Sequence, residues 1–181
     1  MFNVTVQTIV KNEENWVWFS LMSVKDLVKS VIVYDDNSTD KTKEIVESIK
    51  DPKISLKPVK TNLPSDLTGF RNEMLKETKT DWFVLLDGDE VWNNTTFKGF
   101  LKFLEKQHKD IYAVALHTRN CVGDIYHYLP EEAGEYEILG RKGHLNIRAY
   151  RKLPGFHWKG EYPLESYVDE KGDSINSQDN I

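Results

Sequence analysis

The 181 residues are enough for one domain with a sizeable core, since domains commonly hold roughly 100 to 200 residues. Apolar residues make up 39% and charged residues 29% of the chain, which excludes a disordered or fibrous protein. The formal net charge of -5 creates no general field that would gather nucleic acid or an anionic membrane, so a polyanionic ligand needs a local site.

The single cysteine, Cys121, excludes an intramolecular disulfide and favours a reducing compartment. The start, MFNVTVQTIVKNEE, has no basic leader and no small-residue cleavage site, so we expect a first strand there rather than a signal peptide. No apolar run approaches the roughly 18 residues of a membrane span. We therefore expect a cytoplasmic protein without a transmembrane segment, and leave open a peripheral association with a membrane.

Strands and helices alternate along the first half of the chain. Residues 3–10 are rich in strand-forming residues, and apolar residues follow at approximately helical spacing: Trp16, Phe19, Val24, Leu27 and Val28. Further strands are expected at residues 30–36, 53–59 and 81–87, with helices at residues 37–50 and 63–79 between them. Such strands need crossover connections, so we predict a single α/β domain with a mostly parallel central sheet flanked by helices.

The pattern continues less regularly beyond the fourth strand. A helix is expected near Thr95 to Gln107, and strands at residues 111–118 and 144–152. Residues 119–143 are rich in glycine and are predicted to be irregular. Residues 171–181 form a polar tail that is expected to fray.

Two of the predicted strands run directly into acidic residues. The stretch VLLDGDEVW places Asp87, Asp89 and Glu90 at the end of one buried strand, and Asp35 and Asp36 end an earlier one. Because ligands gather at the carboxyl ends of strands in open sheets, both acidic ends can face one crevice. Acids this close repel one another unless a positive group lies among them.

A divalent cation is the positive group that this pattern predicts. Magnesium and manganese favour carboxylate, phosphate and water oxygens, and neither needs an all-protein cage. Gly88 is expected to give the backbone the freedom for a tight turn between the two aspartates. The competing interpretation is that these acids are solvated turn residues and that Thr39 and Asp40 simply cap a helix.

Four segments, taken together, resemble the family 2 glycosyltransferases with the GT-A fold. In chain order they are KNEE after the first strand, DDNSTD after the second, GFRNEML within a helix, and DWFVLLDGDE around the fourth strand. The resemblance covers about residues 4–92. It implies a GT-A-type, Rossmann-like domain in which residues 1–118 bind a nucleotide-sugar and residues 119–170 form the acceptor-side half. The irregular composition of residues 119–143 independently predicts a lid or an acceptor loop.

The resemblance implies that the nucleotide base binds where the first two predicted strands end, at KNEE and DDNSTD. The backbone around Ile9 and Val10, with Glu13 nearby, would border the base, and Asp36 would accept a hydrogen bond from the uracil N–H. Arg71 would reach the base or the phosphates. The segment IVKNEE departs from the common PTYNEE pattern, and both KNEE and Arg71 have simpler interpretations as a helix start and a solvated helix residue.

The resemblance also implies a metal site, with Asp87 near the ribose and Asp89 as a ligand of Mn²⁺ or Mg²⁺. Related enzymes often have a W-x-G segment followed by a His-Glu pair, which FHWKGEYPLESYVD resembles, but Leu164 stands at the expected histidine. His157 is the candidate substitute ligand. The alternative is that His157 packs or hydrogen-bonds within its aromatic segment.

An inverting transferase needs a carboxylate that removes the proton from the acceptor hydroxyl, and Glu165 is the leading candidate. Other acids remain open: Glu161, Asp169, Glu131, Glu132 and Glu135. The nearby aromatic residues would form either a sugar-stacking surface or a part of the core: Phe156, Trp158, Tyr162 and Tyr167.

The resulting hypothesis is a metal-dependent, inverting glycosyltransferase that moves a sugar from UDP to a hydroxyl of a glycan, glycolipid or cell-surface polysaccharide. One alternative is a sugar-1-phosphate nucleotidyltransferase, which normally shows a glycine-rich basic loop that IVKNEE lacks. A second is a non-catalytic domain that binds a nucleotide-sugar or a glycan. Nucleic acid is not an expected partner, and further domains downstream are left open.

Overall fold

The computed structural model describes residues 1–107, 109–138 and 140–175. Strands and helices alternate at first: β1 (Phe2–Val10), α1 (Val17–Val24), β2 (Val28–Asp36), α2 (Thr42–Ser48), β3 (Ile54–Val59), α3 (Pro64–Glu77), β4 (Trp82–Leu85), α4 (Asn94–Glu105) and β5 (Ala113–His117). Mostly short strands follow: β6 (Cys121–Val122), β7 (Asp124–Tyr128), β8 (Tyr136–Ile138), β9 (Arg141–Gly143), β10 (Leu145–Arg151), β11 (His157–Lys159) and β12 (Ser166–Val168). Within these described ranges, no helix is long and apolar enough to cross a membrane.

The central sheet has six strands in the order β3-β2-β1-β4-β10-β5. β1 pairs in parallel with both β2 and β4, and β2 pairs in parallel with β3. β10 runs antiparallel to both of its neighbours, β4 and β5. The predicted α/β domain with a mostly parallel sheet is confirmed, and β10 brings the second half of the chain into the same sheet as the first.

The first helix is shorter than its apolar pattern predicts. α1 ends at Val24, and Val28, which the helical spacing includes, already begins β2. The buried face of the helix is formed by Val17, Leu21 and Val24, whose spacing places them on one side. Phe19 lies on the other side and is 52% exposed.

The predicted irregular segment contains two hairpins in its described part, β6 with β7 and β8 with β9. Gly123 and Gly140 have φ angles of 80° and 73° between the paired strands, so these glycines make hairpin turns. The expected frayed tail is also wrong in part, because Ile175 is 1% exposed and Ser174 pairs with Val168. Residues 176–181 of that tail lie outside the described residues.

A second core, beside β10, is largely aromatic. Trp158 and Tyr167 are 4% and 1% exposed and pack against Phe83 and Tyr150. Burial raises the pKa of Tyr167 to about 12. These two rings are therefore core residues, and a sugar-stacking role is wrong for them, whereas Tyr162 is 56% exposed.

The hairpin of β11 and β12 is fixed to helix α3 by polar side chains of that helix. Asn72 accepts a hydrogen bond from the Trp158 N–H at 2.8 Å and donates one to the Trp158 carbonyl at 2.9 Å, as a neighbouring strand would. The Thr68 hydroxyl donates to the Gly160 carbonyl at 2.8 Å. These bonds hold the segment that contains Glu165 against α3.

Candidate active site

The carboxyl ends of β1, β2 and β4 lie side by side at one edge of the sheet. β1 is the middle strand of the three and pairs with β2 as far as Val10 and Asp35, and with β4 as far as Gln7 and Leu85. The acidic ends of β2 and β4 therefore lie on either side of Ile9 and Val10. This arrangement brings the predicted base-binding backbone and both acidic segments to one edge, as the sequence predicts.

The loops that follow β1 and β2 are tied together by hydrogen bonds. Asn12, with a φ of 57°, donates its N–H to Ser38 Oγ at 3.0 Å and accepts from the Thr39 N–H at 2.8 Å through its side chain. The Glu13 N–H donates to Thr42 Oγ1 at 2.7 Å. KNEE and DDNSTD thus form one connected structure at this edge of the sheet, and KNEE is more than a helix start.

Gly88 is explained by a close approach, and the expectation that it supplies backbone freedom is wrong. A Cβ at this position would lie 2.7 Å from Glu13 Cγ and 3.1 Å from Val10 Cγ1, while the φ of Gly88 lies outside the left-handed region. Glycine lets the turn between Asp87 and Asp89 pack directly against Glu13. Burial, followed by the nearby carboxylate of Asp89, raises the pKa of Glu13.

We expect Gly88→Ala to destabilise the protein by roughly 1–3 kcal/mol, because the added methyl group must displace two packed side chains. Gly99→Ala is the matched control, since a Cβ there meets no atom within 4 Å and α4 gains helix propensity worth about 0.5–1 kcal/mol. Urea denaturation of both variants and the wild type measures the difference. Equal free energies of unfolding for the two variants would contradict this explanation of Gly88.

Asp36 is 5% exposed, and its carboxylate is held from two sides. Oδ1 accepts a hydrogen bond from the Thr61 N–H at 2.6 Å, and Oδ2 accepts one from the Lys11 ammonium at 3.1 Å. Burial alone would raise the pKa of Asp36, but these hydrogen bonds outweigh it and lower the pKa below its usual value. The strand end thus presents a fixed, ionised acceptor. Lys11 and Thr61 are contacts that the sequence pattern did not reveal.

Arg148 is the positive group among the acids after β4. The register places it beside the end of β4, since its neighbour Ala149 pairs with Val84. Its guanidinium donates to Asp87 Oδ2 at 2.8 Å and also to Glu90 Oε1. Burial raises the pKa of Glu90, although Arg148 opposes the rise. A side chain of the protein therefore provides a counter-charge that the sequence interpretation assigned wholly to a divalent cation.

Asp89 is exposed, and its carboxylate makes no hydrogen bond or ion pair with another described residue. No group of three or more His, Cys, Asp or Glu side chains in the described ranges could hold a metal ion. A free carboxylate still suits Mg²⁺ or Mn²⁺, which bind through one or two carboxylates and complete their shell with phosphate and water. His157 is exposed on β11 with Nδ1 3.3 Å from the Gly155 carbonyl oxygen, and its role as a ligand stays a prediction.

Arg71 and Glu165 form an ion pair, although 94 positions separate them along the chain. Arg71 Nε donates to Glu165 Oε1 at 3.1 Å, and the guanidinium lies 5.3 Å from the centre of the Trp158 ring. The Glu165 side chain is 9% exposed, and its Oε2 is buried without a hydrogen-bond partner. A buried acceptor of this kind calls for a ligand or a water. The structure thus places Arg71, which is predicted to contact the donor nucleotide, against Glu165, which is predicted to deprotonate the acceptor.

The other carboxylates that were candidates for the general base are either hydrogen-bonded or paired within the protein, or exposed. Asp169 Oδ1 accepts from the N–H groups of Lys171 and Asp173 at 2.9 and 3.0 Å, within its own turn. Glu131 lies 3.0 Å from His117 Nδ1. The others are exposed: Glu132, Glu135 and Glu161.

A family model matches most of the chain: the model described as Glycosyl transferase family 2 covers residues 5–160. The poly(ribitol-phosphate) beta-N-acetylglucosaminyltransferase TarS of Staphylococcus aureus is 30% identical over 147 residues, which cover 78% of this chain and 25% of TarS. The chain therefore spans about a quarter of the length of this curated relative.

Solved structures share the fold. TarS 1–349 in complex with UDP aligns with a TM-score of 0.57 at 22% identity, over 82% of this chain and 46% of that one. The mannosyltransferase PcManGT from Pyrobaculum calidifontis, in complex with GDP-Man and Mn²⁺, aligns with a TM-score of 0.54 at 24% identity, over 83% and 44%. At these identities the likeness shows the fold, and the expected GT-A-type architecture is confirmed.

Proposed function

We propose that this chain, which belongs to glycosyl transferase family 2, moves a sugar from a UDP-sugar to a hydroxyl of a glycan, glycolipid or cell-surface polysaccharide. One observation carries the proposal: the carboxyl ends of three parallel strands bring a buried, ionised Asp36 and an exposed, unpaired Asp89 to one edge of the sheet. The first suits a base N–H, and the second suits a cation on a diphosphate.

The donor half is proposed to be residues 1–118, with the base between the end of β1 and Asp36. A fixed carboxylate accepts the uracil N3–H but meets an acceptor nitrogen in cytosine, so it selects for uracil. Ile9, Val10 and Glu13 border this position, and Asp87 would bind the ribose. The TarS structure with UDP supports this choice of nucleotide by analogy.

Asp89 is the proposed ligand of a divalent ion, Mn²⁺ or Mg²⁺. Such an ion supplies positive charge where negative charge develops on the departing diphosphate. Arg71, whose side chain is 21% exposed, is proposed to add a second positive group on that side. The protein's own contribution is to fix these groups before the donor arrives.

Glu165 is proposed to act as the general base on the acceptor side, residues 119–170. The acceptor oxygen forms a bond to the anomeric carbon from the face opposite UDP, the sugar–diphosphate bond breaks with its electrons on UDP, and Glu165 takes the hydroxyl proton. Oε1 is held by Arg71, which leaves Oε2 to accept that proton. The result is inversion at the anomeric carbon.

The acceptor is proposed to bind beside the described part of the predicted acceptor loop, residues 119–138 and 140–143. These residues connect β5, whose carboxyl end lies at the crevice edge, to β10, which starts there. Tyr126 and Tyr136, within this segment, are 80% and 66% exposed and offer flat, amphipathic rings. A cytoplasmic location, with or without peripheral membrane association, stays a prediction.

A nucleotide-sugar screen with and without Mn²⁺ tests the proposed function. UDP-sugars are expected to bind and to be hydrolysed slowly in Mn²⁺, and to be transferred when an acceptor is present. Binding without hydrolysis or transfer would favour the non-catalytic alternative. Release of pyrophosphate from a nucleoside triphosphate and a sugar-1-phosphate would instead favour a nucleotidyltransferase.

Asp36→Ala is expected to reduce the preference of the protein for UDP over CDP, because the acceptor that distinguishes the two bases is lost. Loss of such a hydrogen bond is worth about 1–3 kcal/mol, or roughly 5- to 150-fold in relative affinity. Competition of UDP and CDP against a labelled nucleotide measures the ratio for both proteins. Tighter binding of CDP or GDP than of UDP to the wild type would contradict the base assignment.

A further inference from the structure

We propose that Arg148 is a positioning residue for the donor, because it fixes the carboxylate of Asp87 in the orientation that meets the ribose and steadies the turn that carries Asp89. This inference rests on the proposed function. The inference goes beyond the proposed function because it assigns a role in donor binding to a residue of the acceptor-side half of the chain.

The surroundings of Arg148 are those of a residue held in one orientation. Its side chain is 12% exposed, whereas that of Asp87 is 53% exposed, so a buried guanidinium reaches outward to an exposed carboxylate. The pairing of β10 with β5 shifts register between Ile147 and Ala149, which makes Arg148 the residue at an irregularity of the strand. Bulges of this kind redirect a side chain and are common next to active sites.

The bonding pattern restricts Asp87 in a defined way. Arg148 engages Asp87 Oδ2 at 2.8 Å, which leaves Oδ1 without a hydrogen bond to any described residue. The same nitrogen, Nη2, also donates to Glu90, whose side chain is 23% exposed. The carboxylates of Asp87 and Glu90 therefore meet at one end of the guanidinium, whose rigid plane and five fixed N–H directions a lysine ammonium does not reproduce.

A purely structural role is the competing explanation. Glu90 is largely buried, and a buried carboxylate that loses its partner is strongly destabilising. In that case Arg148 would serve only to neutralise Glu90, and the orientation of the Asp87 carboxylate would not depend on Arg148. The two explanations differ in what happens when both members of the Arg148–Glu90 pair are made neutral.

The test compares Arg148→Met, Glu90→Gln and the double variant with the wild type, by melting temperature and by titration of UDP in Mn²⁺. We expect Arg148→Met to lower the melting temperature, and the double variant to recover most of that loss because no buried charge is left unpaired. The UDP affinity of the double variant should nevertheless stay about tenfold or more below that of Glu90→Gln, as for other residues that orient a ligand-binding group. Arg148→Lys should restore affinity only in part.

Arg151→Met is the matched control, since Arg151 lies on the same strand but stacks on Trp82 at the opposite end of β4. It should change stability without changing UDP affinity. A double variant that binds UDP as well as Glu90→Gln would overturn the role of Arg148 and leave the proposed function intact. A wild type that binds no UDP in Mn²⁺ would overturn both.

Discussion

Asparagine in place of Asp89 is expected to remove most of the metal-dependent affinity for UDP while the protein keeps its fold. Asp89 is exposed and has no partner among the described residues, so the loss of its charge removes no internal contact. We expect affinity in Mn²⁺ to fall by roughly a hundredfold or more, since even residues that only orient a metal ligand are worth 10- to 100-fold. Titration calorimetry of UDP, with a melting curve of each protein, measures both properties.

Asp81→Asn is the control for this substitution, because Asp81 is also an exposed aspartate next to β4 but lies before the strand rather than after it. It should leave UDP affinity unchanged. Equal UDP affinity for the wild type and Asp89→Asn, in Mn²⁺ and in EDTA alike, would contradict the assignment of Asp89.

Glu165→Gln is expected to lower the turnover of sugar transfer by roughly a hundredfold or more, with little change in donor affinity. Glutamine has nearly the same size and its carbonyl oxygen can still accept the hydrogen bond from Arg71, so the ion-pair position stays filled. What the variant loses is a basic oxygen at the position of Oε2, which is buried without a partner. The rate and the UDP affinity must be measured on the same preparation with an identified acceptor.

Because Glu165 pairs with Arg71, two different results of this experiment would contradict its role as the general base. Turnover near the wild-type rate would move the role of general base elsewhere, and Glu161→Gln, in the exposed segment four positions earlier, tests the nearest competing carboxylate. A large loss of UDP affinity would instead show that Glu165 acts through Arg71 in donor binding.

The acidic edge of the sheet, at the carboxyl ends of β2 and β4, could be predicted because its signals are local. An apolar run that ends in acids indicates the end of a buried strand, and alternation with helices puts such ends at one edge. Asp36, Asp87 and Asp89 were placed at that edge by this argument alone. Local reasoning does not explain Gly88. A side chain at this position would collide with Glu13, which lies on a different loop.

The contacts across the sheet could not be predicted, because no local pattern specifies the order of the strands. Insertion of the antiparallel β10 between β4 and β5 is what brings Arg148 to Asp87. Arg71 and Glu165 likewise meet only because the β11–β12 hairpin docks on α3 through Asn72. The local signal, a charged residue within the strand of HLNIRAYRK, marks Arg151 as much as Arg148.

The most direct test of a metal-dependent UDP-sugar site is a titration of UDP into the wild-type protein, first with Mn²⁺ and then with EDTA. We expect saturable binding of one UDP in Mn²⁺, tighter than that of CDP or GDP, and a large loss of affinity in EDTA. No binding of UDP in Mn²⁺, or the same affinity in both conditions, would contradict a metal-dependent UDP-sugar site at this edge of the sheet.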